Sequence, residues 1–287
     1  MFIRSVVLGA IAASVLQIAP AIAESCPGNP DALGVSRTVE IDTTDGPGFG
    51  FAQYKLYDFL QPGEVVLTFD DGPWPKNTPA VLEALKAHCT KATFFTIGKH
   101  AVWHPQILKQ IAAEGHTVGT HTFSHANLSK RKMKGAAGRA EVEKGLSAVK
   151  FALGAPPAPF FRFPFLQDPK EMVAYIGSRN HAMFSMDLDS FDFKYRSPKR
   201  VIRSVMSKLK KKGKGIILMH DFQRSTAKAM PELLKALKDK GYRVVHLTAK
   251  EPAVSIAEYD AEIEKEFGGP TANAKPLSSV VRTIKGK

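Results

Sequence analysis

The chain has 287 residues, 44% of them hydrophobic and 23% charged, with a formal net charge of +13. That is the composition of a globular protein, long enough for one large α/β domain with a substantial buried core plus appendages. Its two cysteines, Cys26 and Cys89, have no Cys-x-x-Cys neighbour, which argues against a redox or zinc-thiolate site.

In chain order, Arg4 makes a short positive region, residues 5–17 an apolar run, and Ala21-Ile22-Ala23 a small-x-small cleavage signal. This pattern predicts a signal peptide over residues 1–23, cut after Ala23, and hence a secreted or periplasmic protein. The apolar run is too short for a comfortable membrane span, so no stable span is expected after cleavage. Export into an oxidising compartment makes Cys26 and Cys89 a disulfide candidate, pinning an N-terminal extension over residues 24–63 to the domain that follows.

From residue 64 onward, short apolar runs alternate with longer segments of helical spacing. The runs at 65–69, 92–97, 116–119, 160–163, 182–187, 215–219 and 242–247 read as strands. The segments at 78–87, 101–114, 132–153, 169–178, 198–211 and 226–240 read as helices. Strands alternating with helices predict parallel βαβ units, in a barrel or an open doubly wound sheet; seven strands with six helices is close to a (β/α) barrel count. The domain is expected over residues 64–250. A tail over 251–287 ends in a polar, basic stretch expected to be disordered in part. Lys208, Lys210, Lys211, Lys212 and Lys214 lie near the end of a predicted helix, where basic groups complement the helix dipole on a solvated face. A basic surface also suits anionic cell-envelope polymers. Export and the lack of any nucleic-acid-binding motif argue against a nucleic-acid partner.

Chemistry-bearing residues collect at the ends of these strands. Leu67-Thr68-Phe69-Asp70-Asp71-Gly72-Pro73 ends a strand in two adjacent carboxylates. In barrel-type α/β folds that strand edge is where active sites are built. Like charges side by side repel, and a metal beside one acid leaves the other free as a base. His121-Thr122-Phe123-Ser124-His125 follows the third strand; two imidazoles four residues apart share a face if the segment takes a helical turn, and both then reach one ion. Arg162-Phe163-Pro164-Phe165, Asp189-Ser190-Phe191-Asp192-Phe193 and Leu218-Met219-His220-Asp221 sit at three further strand ends. Taken singly, each fits a structural role: a capped turn, an ion-paired arginine, a satisfied core histidine. Together they put polar clusters on the same edge of five strands.

These five segments, in this order, resemble those of the polysaccharide deacetylases, carbohydrate esterase family 4, over about residues 64–247. The resemblance implies a deformed (β/α)7-type barrel. It implies Asp71, His121 and His125 as ligands of zinc or another divalent transition metal. Asp70 resembles the catalytic base, Arg162 the arginine that holds it, His220 the general acid and Asp192 the acid that orients it. The sequence departs from the family at Phe165, where Tyr is usual, and at Phe193, where Trp is usual. The main-chain N–H of Phe165 is implied as an oxyanion donor and the Phe193 ring as a groove wall, so both departures bear on substrate choice. The implied reaction is hydrolysis of N-acetyl groups on a chitin-like or peptidoglycan polymer. O-acetyl ester hydrolysis and non-catalytic carbohydrate binding are the alternatives; a binder is expected to lack a ligand or the base, and all are present here.

Overall fold

Residues 26–268 are described by a computed structural model. The signal peptide expected over 1–23 and the end of the tail lie outside the described residues. In chain order the elements are β1 (Arg37–Ile41), β2 (Gly48–Phe49), β3 (Glu64–Asp70), α1 (Asn77–Ala87), β4 (Thr93–Thr96), α2 (Gly98–Trp103), α3 (Pro105–Ala113), β5 (Thr117–Thr120), α4 (Ala136–Leu153), β6 (Phe160–Phe161), α5 (Lys170–Ser178), β7 (Ala182–Phe184), β8 (Leu188–Asp189), α6 (Pro198–Lys212), β9 (Gly215–His220), α7 (Arg224–Asp239), β10 (Arg243–Ala249) and α8 (Ala257–Phe267).

Every strand pairing is parallel, as the alternation of strands and helices requires. β3 is the axis of the sheet, and all seven of its residues are buried, as suits a strand covered on both faces. It pairs with β9 from Val65↔Gly215 to Asp70↔His220 and with β4 from Thr68↔Thr93 to Asp70↔Phe95. The order continues through β5 and β6 to β7, and the segment after β7 returns as β8 to pair with β9, closing the ring. The barrel is deformed at β10, which meets β3 through two residue pairs only and then leaves to pair with β1 over five. Successive residues of β3 serve different layers. Val65, Leu67 and Phe69 pack with Leu82, Val205 and Leu233 of the surrounding helices, while Val66 joins Phe95, Phe160, Phe184 and Ile216.

Three sequence expectations change. The extension over 24–63 contributes β1 and β2 to the sheet; at five and two residues they are too short to stand out as periodic runs. The single helix expected over 101–114 is two, because Pro105 cannot continue a helix and starts a new one at its N1 position. Within the tail, α8 packs on α4 through buried Ile263 and the Lys150–Asp260 ion pair at 2.8 Å. The lysine run closes α6 at Lys210, Lys211 and Lys212, with Gly213 in the left-handed conformation as its C-cap. Among the described residues no helix is long and apolar enough to cross a membrane.

Cys26 and Cys89 are bonded across 63 residues, tying the start of the described chain to the turn after α1. Closing a loop of that length is worth about 4 kcal/mol in the chain-entropy account. Thiol alkylation of the purified protein should find no free cysteine, and reductant should lower its Tm. A melt that reductant leaves unchanged would contradict a stabilising role for the bridge.

Candidate active site

The site grows from the C-terminal ends of β3, β5, β6 and β9 and the segment after β8. Arg162, directly after β6, has no solvent exposure, so each of its donors must find an acceptor inside the protein. Its Nη1 donates to Asp70 Oδ1 at 2.7 Å and to Thr68 Oγ1 at 2.8 Å; Nη2 donates to the Ser185 carbonyl at 2.7 Å and Nε to the Phe184 carbonyl at 3.2 Å. The guanidinium lies over the Phe95 ring, 4.2 Å from its centroid. Burial pulls its pKa down, and the charge of Asp70 opposes that pull. Asp70 is thus a buried carboxylate with a fixed counter-charge and a fixed orientation.

Asp71 turns the opposite way because its backbone is left-handed, with φ 73°. Its Oδ1 lies 3.5 Å from His121 Nε2 and 3.3 Å from His125 Nε2. The two histidines do not share a helical turn, as the sequence reading supposed. They converge because Thr122 (φ 63°) and His125 (φ 59°) kink an irregular segment after β5. His121 Nδ1 is 2.6 Å from the Arg162 carbonyl, which can only accept, so Nδ1 carries the proton and Nε2 presents a lone pair. Burial pushes both His121 and His125 down to about 3, which keeps them neutral. Burial also pushes Asp71 up to about 7, against the opposing field of His220, and its Oδ1 has no hydrogen-bond partner. Two neutral imidazoles and one orphaned carboxylate oxygen, all with ligand atoms within 4.8 Å of one another, form a donor set that fits a divalent transition metal. Three protein ligands leave room for water or substrate, as catalytic rather than structural zinc sites do.

On the facing side His220 ends β9. Its Nδ1 lies 2.7 Å from Asp192 Oδ1, and its main-chain N–H donates to Asp192 Oδ2 at 2.7 Å. Thr226 Oγ1 donates to the same Oδ2 at 2.5 Å. Burial alone would lower the His220 pKa; the bond to Asp192 and the fields of Asp71 and Asp70 outweigh it and hold the imidazole up to about 9. Its Nε2 is 3.9 Å from Asp71 Oδ2, so it faces the same space as the Asp71, His121 and His125 donor set. Two exposed rings rim that space: Phe165 with its centroid 4.5 Å from the His125 ring, and Phe193 at 5.8 Å from the His220 ring. Phe165 is itself left-handed, with φ 59°. All nine residues singled out in the sequence therefore converge on one edge of the barrel.

Other members of the site had no role assigned from sequence. Asp221 is fully buried, accepts from Thr78 Oγ1 at 2.5 Å, and is pushed up to about 7 chiefly by burial. It explains Gly72: a Cβ there would stand 2.0 Å from Asp221 Oδ2, so only glycine lets the Asp70-Asp71 turn pass. His100 Nδ1 donates to the Asp71 carbonyl at 2.6 Å and anchors that turn from α2. Asp221 stands beside His220 in the quoted segment, a readable signal; His100 gives none, since only folding brings α2 to the turn.

Comparison with known proteins fits this geometry. Residues 60–183 match the family description "Polysaccharide deacetylase". A peptidoglycan-N-acetylglucosamine deacetylase of Bacillus cereus is 32% identical over 206 residues, covering 69% of this chain and 73% of that protein. This chain belongs to the polysaccharide deacetylase family. A chitooligosaccharide deacetylase of Sinorhizobium fredii is 30% identical across 62% of this chain and 87% of its own length. Among solved structures, the Bdellovibrio bacteriovorus peptidoglycan deacetylase superposes with a TM-score of 0.65 at 35% identity, over 75% of this chain and 59% of that one. Several curated family members are longer proteins, of which this chain spans under two fifths. The fold is the α/β, (β/α)7-type barrel of these deacetylases.

Removing the arginine tests how the family's acid pair is held here. Arg162→Met leaves Asp70 buried without its counter-charge and should cost about 3–5 kcal/mol. Arg162→Met combined with Asp70→Asn should recover part of that loss in denaturant melts. A single variant as stable as the parent would contradict the pairing.

Proposed function

We propose that the protein is a metal-dependent hydrolase that removes N-acetyl groups from an N-acetylglucosamine-containing polymer. One observation carries this reading: a base, an acid and a three-ligand donor set face one space, with Arg162 holding Asp70 and His121, and Asp192 holding His220. Asp71, His121 and His125 would hold zinc or another divalent ion, which when bound supplies Lewis-acid polarisation of an acetyl carbonyl and lowers the pKa of water. Asp70, fixed by Arg162, takes the proton from the attacking water. The Phe165 main-chain N–H supports charge developing on the carbonyl oxygen. His220 gives its proton to the departing sugar amine, and Asp192 keeps the imidazole charged and aimed. Phe193 forms a wall for the sugar. General acid and base each typically contribute about 10²–10⁴-fold.

Peptidoglycan is the polymer the surroundings favour over neutral chitin. Next to Asp192 and Phe193 a cleft is lined by Arg196, Arg224 and Lys228. No carboxylate among the described residues pairs with these three cations. They suit the carboxylates of a peptide-bearing glycan. The Cys26–Cys89 bridge supports a secreted or periplasmic setting.

The adjacent acids separate the roles experimentally. Asp70→Asn should keep its metal while acetate release falls by roughly 10²-fold or more. Asp71→Asn should lose metal, and excess zinc should restore part of its activity. Wild-type turnover in Asp70→Asn would overturn the mechanism.

The pH profile gives an independent check. His220 must be protonated to act, so activity is lost as pH rises through its raised pKa. Asp192→Asn removes the largest raising influence, and the alkaline limb should move to lower pH. An alkaline limb that stays in place would exclude His220 as the acid.

A further inference from the structure

The main-chain N–H of Phe165 has no acceptor among the described residues. A 3₁₀ turn here would offer it the carbonyl three residues back, that of Arg162, but that oxygen already takes the Nδ1 proton of His121. The Phe165 ring is exposed and lies against His125, so the orphaned donor stands at the edge of the reaction space. The backbone that carries it is strained. Phe165 has φ 59° and ψ 13°, and Leu166 follows with φ 52°. Two successive left-handed residues, neither of them glycine, persist only where their surroundings hold them.

Inside the segment, Leu166 N–H donates to the Phe163 carbonyl at 3.0 Å and Gln167 N–H to the Pro164 carbonyl at 3.1 Å. These bonds span the turn without tying it to anything else. Among the described residues, one hydrogen bond reaches the turn from another part of the chain. It comes from Gln53, whose Nε2 donates to the Leu166 carbonyl at 2.7 Å. Gln53 lies in the extension before β3, outside the residues 60–183 that match the family. Its loop is itself fixed. Phe51 N–H donates to Asp187 Oδ1 at 2.7 Å, and Ala52 N–H to the Met186 carbonyl at 3.0 Å. Gly50, at φ 99°, permits that approach, since a Cβ there would stand 2.7 Å from the Met186 nitrogen. Tyr54, next along, packs on the cluster that contains Phe161 and Phe163. The neighbouring Ser185 gives its carbonyl to Arg162, so the loop and the guanidinium that holds Asp70 share one support.

We propose that Gln53 is a positioning residue for the reaction. By holding the Leu166 carbonyl it keeps the left-handed Phe165–Leu166 pair in place. It thereby aims the free Phe165 N–H at the carbonyl oxygen that gains charge as water attacks. The role rests on the N-deacetylase reading given above, and it makes the extension before the barrel a working part of the site.

The test compares two variants. Gln53→Met keeps the length of the side chain and removes its N–H; Gln53→His returns a donor, Nε2–H, at a similar reach. An oxyanion donor is worth roughly 10²–10³ in kcat, and a misaimed one forfeits part of that. Gln53→Met should therefore lower kcat for acetate release from soluble peptidoglycan fragments by roughly tenfold, with KM nearly unchanged. Gln53→His should regain most of the loss. A methylphosphonamidate analogue of the N-acetyl group, tetrahedral and charged where the oxyanion forms, should bind Gln53→Met more weakly by a similar factor. Uncleaved fragments should bind Asp70→Asn equally well with and without Gln53→Met. Metal content and Tm should match the parent, which separates misaiming from loss of packing. Parental kcat in Gln53→Met, an equal loss in Gln53→His, or a loss confined to KM overturns the role. Wild-type acetate release distinguishes the two claims: if it is present and Gln53→Met leaves it unchanged, the positioning role alone is wrong, whereas its absence removes the deacetylase reading itself.

Discussion

The site depends on a guanidinium that has been taken wholly out of water. Arg162 has no exposure, so its charge must be met inside the protein, and the partner that meets it is Asp70 at 2.7 Å. The same residue's carbonyl accepts the Nδ1 proton of His121 and thereby fixes which nitrogen faces Asp71 and His125. One residue therefore orients Asp70 through its side chain and His121 through its main chain. Thr68, Phe184, Ser185 and Phe95 surround the guanidinium and leave it no second position. The cost of burying that charge is what makes the geometry rigid.

Around this anchor the backbone is held in conformations that side chains disfavour. Asp71, Thr122, His125, Phe165 and Phe191 all have positive φ, and all belong to the strand-end segments that build the site. Such residues persist only where the surroundings over-determine them. The strain at Asp71 has an evident use. It sends neighbouring carboxylates in different directions, so that Asp70 keeps a cation and Asp71 faces two neutral imidazoles. Like charges in adjacent residues then serve different partners instead of opposing one another. Gly72 completes the turn because Asp221 lies where any Cβ would be.

Much of this was legible in the sequence, for a physical reason. Parallel strands buried on both faces read as short continuous apolar runs, so the polar residues ending them at Asp70, His121, Arg162 and His220 stand out sharply. What was not legible depends on contacts distant in sequence or on elements too short to show a period. β1 and β2 gain their identity from β10 and β7 rather than from their own five and two residues. The His121–His125 spacing suggested a helical turn, yet two left-handed residues bring the rings together. The break at Pro105 was visible in principle, since proline ends one helix and favours starting the next. The link from His100 on α2 to the Asp71 carbonyl required the fold itself.

The central claim is that the Asp71, His121 and His125 set binds a metal that the Asp70 and His220 pair requires for amide hydrolysis. The most direct measurement is acetate release from N-acetylated peptidoglycan, with metal content read on the same sample, before chelation, after it, and after zinc is returned. Release should fall with the loss of about one ion per chain and recover when that ion is restored. Undiminished release from metal-free protein would contradict the claim.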